Sequence, residues 1–152
     1  MKDTQHTRDK DSIQHLYDNI LPMLATRIHG NLTEITPLFH DFGLERVVDV
    51  WTKSPDADED TPISIENGNV QQMGLKLRLE GFQSAAAPPF DITKDLLFIL
   101  GHSTYEVGPN KNTIWLEKLY FGKWTETETA DVAQRWCDDL IEEITQRLES
   151  MT

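Results

Sequence analysis

The sequence predicts an α+β fold: a mostly antiparallel sheet of about four to six strands, with a kinked N-terminal helix and a long C-terminal amphipathic helix packed on one face. Three observations lead to this prediction. Apolar residues recur with helical spacing at both ends of the chain, short β-branched and alternating segments fill the middle, and turn-forming residues separate those segments. With 152 residues, the chain is expected to form a single domain over 1–152, in which 1–10 are a disordered tail.

The first helix is predicted to run from about Lys10 to His29, with Gly30 as its stop signal. Its apolar stripe consists of Ile13, Leu16, Tyr17, Ile20, Leu21, Leu24 and Ile28. Pro22 lies within this segment but opposite the stripe, and the stripe keeps its phase across the proline. The pattern therefore predicts one kinked helix, with water satisfying the carbonyl of Asp18 that the proline leaves without a donor.

The middle of the chain reads as short elements separated by loops. Thr36-Pro37 predicts a short helix within 31–43, and the β-branched run Arg46–Lys53 predicts a strand. After an acidic loop, Asn67-Gly68 predicts a hairpin turn between short strands at 63–66 and 69–72. The second arm then continues to residue 79, with apolar and polar residues alternating as in a strand that has one wet face.

Two further strands are expected before the last helix. Periodicity alone does not distinguish strand from helix for Leu96–His102, but the β-prone residues after Gly101 favour a strand. Thr113–Phe121 is apolar on both faces, which predicts a central strand of the sheet.

The last helix, predicted over Thr129–Met151, has the clearest pattern in the sequence. Its apolar face holds Val132, Ala133, Trp136, Cys137, Leu140, Ile141, Ile144, Leu148 and Met151. Its opposite face holds Asp131, Arg135, Asp138, Asp139, Glu142 and Glu149. Such a wide apolar face predicts a helix that lies flat on other elements and presents a negative surface to solvent.

The cysteine content and the N-terminus bear on the cellular compartment. Cys137 is the single cysteine, so no internal disulfide can form, and we expect it to pack as a small hydrophobe. The N-terminus has no hydrophobic signal region, and no apolar run approaches the ~18 residues of a membrane span. These features predict a cytoplasmic protein that does not associate with membranes.

The net charge of −12 is concentrated in two segments, with −5 in residues 54–66 and −6 in residues 125–152. Binding to nucleic acid depends on lysine and arginine, so direct nucleic-acid binding is disfavoured. A basic protein partner would be attracted instead. The alternative interpretation is that the acidic residues serve only to keep the protein soluble. A homodimer is a further possible assembly.

Candidate partner-binding residues follow from this charge pattern. They are Asp56, Asp58, Glu59, Asp60, Trp124, Asp138, Asp139 and Glu142. Trp124 is included because its position between the last strand and the last helix predicts an exposed aromatic anchor. The alternating aspartates resemble the start of a calcium loop, but Thr61 and Asn67 replace the glycine and glutamate that such a loop requires, so no metal site is predicted.

Two functions from different classes are consistent with the sequence. The first is a non-enzymatic protein-binding protein that engages a basic partner, as an immunity protein, inhibitor, adaptor or secretion chaperone does. The second is a small-ligand-binding or hydrolytic domain with an aromatic-lined pocket between sheet and helices, centred on Trp115, Tyr120 and His102. The sequence contains no phosphate-binding glycine loop and no glycine-flanked nucleophilic serine, so binding without a cofactor is favoured over catalysis.

Overall fold

A computed structural model of the chain describes residues 7–51, 61–83 and 88–151. The helical elements are α1 (Lys10–His15), a π-helical turn (Leu16–Ile20), α2 (Leu21–Asn31), a 3-10 turn (Thr36–Leu38) and α3 (Glu126–Glu149). The strands are β1 (Phe39–Val48), β2 (Gln72–Phe82), β3 (Ile92–Leu100), β4 (Thr104–Gly108) and β5 (Leu116–Leu119). Within the described residues these strands form a five-stranded antiparallel sheet in the order β1-β2-β3-β4-β5. The α+β fold class is confirmed.

The chain divides into two compact units. The first comprises the described parts of Met1–Pro22, Arg46–Leu75 and Leu96–Lys123. The second comprises the described parts of Met23–Glu45, Lys76–Asp95 and Trp124–Thr152. The single-domain assignment therefore stays a prediction, and each unit is described separately.

The first unit has an aromatic core beside α1. The Phe98 and Tyr105 rings stack with centroids 5.4 Å apart, and the Tyr105 and Tyr120 centroids are 5.5 Å apart. All three side chains are fully buried. Asp9 caps α1 by accepting from the Ser12 amide at 2.8 Å, while the Ser12 hydroxyl accepts from the Asp9 amide at 2.8 Å. This reciprocal capping explains why the helix begins at Lys10, as the sequence predicts.

The kink before Pro22 is a single π-helical turn. In that register the amide of residue 22 would donate to the carbonyl of Tyr17, and proline has no such donor. A guanidinium nitrogen of Arg46 donates to this carbonyl at 3.1 Å and takes the place of the missing donor. The guanidinium also lies 4.3 Å from the Tyr17 ring centroid and 3.9 Å from the Asp18 carboxylate. The kinked helix is confirmed, and the arginine performs on Tyr17 the role that the sequence assigned to water at Asp18.

In the second unit, the indole nitrogen of Trp136 donates to the carbonyl of Asp95 on β3 at 3.0 Å. Helix α3 begins at Glu126, three residues before its predicted start, because Thr125 and Glu128 form a capping box. The predicted burial of Ile141 is wrong, since 48% of its surface is exposed. At about 100° per residue, Ile141 lies about 140° around the helix from Trp136 and so falls outside the buried stripe.

Strand β1 begins earlier than the sequence indicates and reduces the predicted short helix to the 3-10 turn. Gly43, the last residue of the segment predicted to hold that helix, lies within β1, where a Cβ would be 2.9 Å from the guanidinium of Arg78. The glycine thus makes room for a side chain of the neighbouring strand. Because β1 ends at Val48, Trp51 lies beyond the strand and is 87% exposed.

The turn at Asn67-Gly68 is present, but the predicted hairpin arms are not. Gly68 adopts a φ of +65°, and its amide donates to the carbonyl of Ile65 at 3.0 Å. The side-chain amides of Asn67 and Asn69 donate to the Pro62 carbonyl at 2.8 and 3.0 Å. These side chains close a compact loop without strand pairing, and β2 begins only at Gln72.

The last two strand predictions had different outcomes. The strand assignment of Leu96–His102 is confirmed, since β3 extends to Leu100. The central position predicted for Thr113–Phe121 is wrong, because β5 covers four residues at the edge of the sheet. The amide of Gly122 donates to the carbonyl of Leu119 at 2.9 Å, and this turn follows the strand. Ile114, Leu119 and Phe121 are accordingly exposed.

Candidate functional site

A cleft of about 520 Å³ lies in the second unit between α2 and the start of α3. Its wall consists of Met23, Thr26, Arg27, Gly30, Asn31, Trp124, Glu126 and Thr129. The volume is within the range of about 300–1,000 Å³ that is usual for ligand pockets. The lining residues include a tryptophan and a methionine together with residues that carry hydroxyl, amide and charged side chains.

A second depression of about 470 Å³ adjoins this cleft along α3. Arg27, Asn31 and Glu126 line both cavities. The guanidinium of Arg27 and the carboxylate of Glu126 form an ion pair where the two cavities meet. These side chains are 41% and 75% exposed, so solvent reaches the pair.

The capping box of α3 fixes one wall of the cleft. Thr125 is the N-cap, and the Thr129 hydroxyl donates to the Thr125 carbonyl at 3.0 Å while lying 4.0 Å from the Met23 sulfur. Trp124 directly precedes the cap and is only 7% exposed. The expected exposure of Trp124 is therefore wrong, although the residue borders the cleft.

Cys137 is a buried residue of α3 that is hydrogen-bonded to Asn31 of the cleft. Burial raises the pKa of its thiol to about 11, with a hydrogen bond from Asn31 acting in the opposite direction and the charge of Asp138 adding to the rise. The thiol therefore remains protonated near neutral pH and is a poor nucleophile.

The outer side of α3 carries four carboxylates, Asp138, Asp139, Glu142 and Glu143, which we call the acidic face. Asp139 is half-buried and the other three are exposed. Two of these carboxylates accept hydrogen bonds from neutral side-chain amides of α3: Gln134 donates to Asp138 at 2.9 Å, and Gln146 donates to Glu142 at 3.4 Å. Among the described residues no lysine or arginine lies within ion-pair distance of the four. Their negative charge is not neutralised within this part of the chain.

The other predicted partner-binding residues are not brought into this face by the structure. Asp56, Asp58, Glu59 and Asp60 lie outside the described residues. Trp124 lies in the wall of the cleft, as described above. The acidic face therefore contains Asp138, Asp139 and Glu142 from the predicted set, with Glu143 added by the structure.

The residues of the predicted aromatic pocket belong to the first unit. The hydroxyl of the buried Tyr120 donates to the carbonyl of Gly101 at 2.6 Å. Gly101 directly precedes His102 in the chain. Burial raises the pKa of the Tyr120 phenol, with Arg8 acting in the opposite direction, so the phenol is a structural donor. His102 is exposed, and Trp115 is half-buried before β5, where its amide donates to Val107 at 2.8 Å.

Sequence reasoning did not identify Arg27, Asn31 or Glu126 as cleft residues. Arg27 and Glu126 are 99 positions apart, and their ion pair depends on the tertiary arrangement of α2 and α3. The capping-box pattern Thr125-x-x-Glu128 was the available signal, since it fixes where α3 begins.

Metal and membrane signatures are absent from the described part of the chain. In residues 7–51, 61–83 and 88–151, no three histidine, cysteine, aspartate or glutamate side chains are grouped to hold a metal ion. No helix in those same ranges has the length and apolar character needed to cross a membrane. Comparisons with protein-family models, with curated proteins and with solved structures gave no match to this chain.

Proposed function

We propose that this chain is a non-enzymatic binding protein that engages a basic protein partner through the acidic face of α3. The observation that carries the proposal is the group of four carboxylates on one helix with no cationic partner among the described residues. The lone cysteine favours a reducing compartment such as the cytoplasm for this interaction.

The geometry favours binding because the acidic face is on a well-anchored helix. Trp136 holds α3 to β3, so the carboxylates are presented on a preformed surface. Exposed charges of one sign raise the association rate with an oppositely charged partner and make that rate dependent on salt. The segment 54–66 carries a further charge of −5. The proposed partner-binding residues therefore also include Asp56, Asp58, Glu59 and Asp60.

The experiment measures association of the chain with its partner, recovered by affinity capture and identified by mass spectrometry. The test variant combines Asp138→Asn, Asp139→Asn and Glu142→Gln. We expect slower association at low salt and a smaller dependence of the rate on ionic strength, since electrostatic steering is reduced.

A matched control variant combines Asp11→Asn, Glu34→Gln and Asp41→Asn. These three acids are exposed and lie outside α3, and their neutralisation changes the net charge by the same amount. A slower rate in the α3 variant alone supports the proposal. Equal rates and equal salt dependence in wild type and both variants would contradict it, and equal slowing in both variants would reduce the effect to net charge.

A further inference from the structure

The cleft is occupied at its boundary by the chain's own guanidinium. Arg27 extends from α2 to the carboxylate of Glu126, where the two cavities meet. This is a solvent-accessible ion pair, a type that stabilises a fold only weakly. An incoming cation of similar shape could therefore replace Arg27 on Glu126 at small cost.

Once Arg27 leaves Glu126, the carboxylate has no counter-ion in the described part of the chain, and the cleft then favours a cation over an anion. Glu126 lines both cavities, whereas Asp131 lines only the second one and is paired with Arg135 at 3.2 Å. Gly30 and Asn31 lie at the C-terminal, negative end of the α2 dipole, and Glu126 lies at the N-terminal, positive end of the α3 dipole, so the two dipoles oppose each other here. The chain as a whole carries −12, which further raises the local concentration of cations.

The apolar part of the wall fits the stem of an arginine. Trp124 and Met23 line the cavity that Glu126 borders. Arginine side chains pack their methylene groups and guanidinium planes against aromatic and thioether groups while the charge is held by a carboxylate. A planar guanidinium also matches a carboxylate through two parallel hydrogen bonds.

We infer that the cleft between α2 and α3 receives an arginine side chain of the basic partner, which displaces Arg27 from Glu126. The inference rests on the proposed function for the identity of the occupant. It adds a specific recognition site to the general attraction of the acidic face, and it makes Arg27 an internal competitor for that site.

The test is a titration of the isotope-labelled chain with N-acetyl-arginine amide, followed by NMR at the indole N–H of Trp124 and the side-chain N–H of Arg27. N-acetyl-citrulline amide, which has nearly the same shape without the charge, is the ligand control. A probe of this size is expected to bind in the millimolar range. Saturable shifts with the arginine probe and none with the citrulline probe support the site, and absence of shifts with the arginine probe overturns it.

Two variants change the predicted affinity in opposite directions. Glu126→Gln removes the counter-ion and should weaken binding of the arginine probe by up to roughly fivefold. Arg27→Met removes the competitor and should strengthen binding by roughly two- to fivefold. A merely structural ion pair would make both variants weaker binders, and that result would overturn the inference.

The Glu45–Arg78 ion pair is the matched control, because it lies in the same unit at 3.5 Å with an arginine of the same 41% exposure. Glu45→Gln should leave binding of the probe unchanged. The probe titration also separates the two proposals. Loss of the acidic-face effect with intact probe binding would refute the proposed function alone, whereas absent probe binding with an intact acidic-face effect would refute the cleft alone.

Discussion

Trp136 connects α3 to the sheet through both its ring and its nitrogen. The side chain is fully buried, its N–H donates to the Asp95 carbonyl at 3.0 Å, and the Lys94 ammonium lies 5.8 Å from its ring centroid. A buried tryptophan that satisfies its donor contributes area without an unpaired polar group. The orientation of α3, and with it the presentation of the acidic face, depends on this residue.

Trp136→Ala should lower the free energy of unfolding by ~3–5 kcal/mol, because truncation leaves a cavity and removes apolar burial. The Asp95 carbonyl would also lose its donor. Asp138→Ala, two positions along the helix, should change stability by no more than about 0.5 kcal/mol, since the carboxylate is exposed and bonded to Gln134. Urea denaturation of both variants measures the difference, and similar midpoints would mean that the buried face of α3 is assigned wrongly.

At the scale of elements, hydrophobic periodicity was the reliable predictor. It identified α3, the kinked N-terminal helix and β2, whose buried residues alternate as the sequence indicates. It failed where an element end depends on a contact distant in sequence. Gly43 was assigned to the segment of the short helix, but it lies in β1 beside Arg78 of the neighbouring strand. The strand at 113–121 was predicted to be central, but β5 lies at the edge of the sheet.

The junction at Pro22 gives the clearest test of such a distant contact. Pro22→Ala restores a backbone donor that can bond to the Tyr17 carbonyl, so the variant should be as stable as wild type or more stable. Arg46→Met should then destabilise the wild-type background more than the Pro22→Ala background, because the arginine is no longer the carbonyl's substitute donor. We expect a coupling of about 1 kcal/mol.

A double-mutant cycle of these substitutions, measured by urea denaturation, gives that coupling directly. The contacts of Arg46 with the Tyr17 ring and with Asp18 occur in both backgrounds and should cancel. Additive effects would show that the hydrogen bond from Arg46 does not compensate for Pro22.

At the scale of the whole molecule, the sequence gives the net charge directly, but it predicts only part of where the charged side chains lie. The sequence placed Asp138, Asp139 and Glu142 on the outer side of α3 from their helical spacing; Asp138 and Glu142 are exposed, and Asp139 is half-buried. The sequence could not identify the cleft, since nothing local brings Arg27 to Glu126. The exposure of Trp124 was predicted wrongly for a similar reason: the residue borders the same cleft as residues of α2, which ends more than ninety positions earlier.

The uncompensated charge also predicts how stability responds to salt. With a net charge of −12 and four carboxylates concentrated on α3, like-charge repulsion acts on the folded state more than on the expanded unfolded chain. Raising ionic strength to about 0.1 M shortens the screening length to about 10 Å and should increase the free energy of unfolding. The Asp138→Asn, Asp139→Asn and Glu142→Gln variant should be more stable than wild type at low salt and should respond less to added salt. Urea denaturation at low and moderate sodium chloride measures both quantities. A variant that is less stable than wild type would show that these carboxylates support the fold, and its slower association could then be attributed to unfolding.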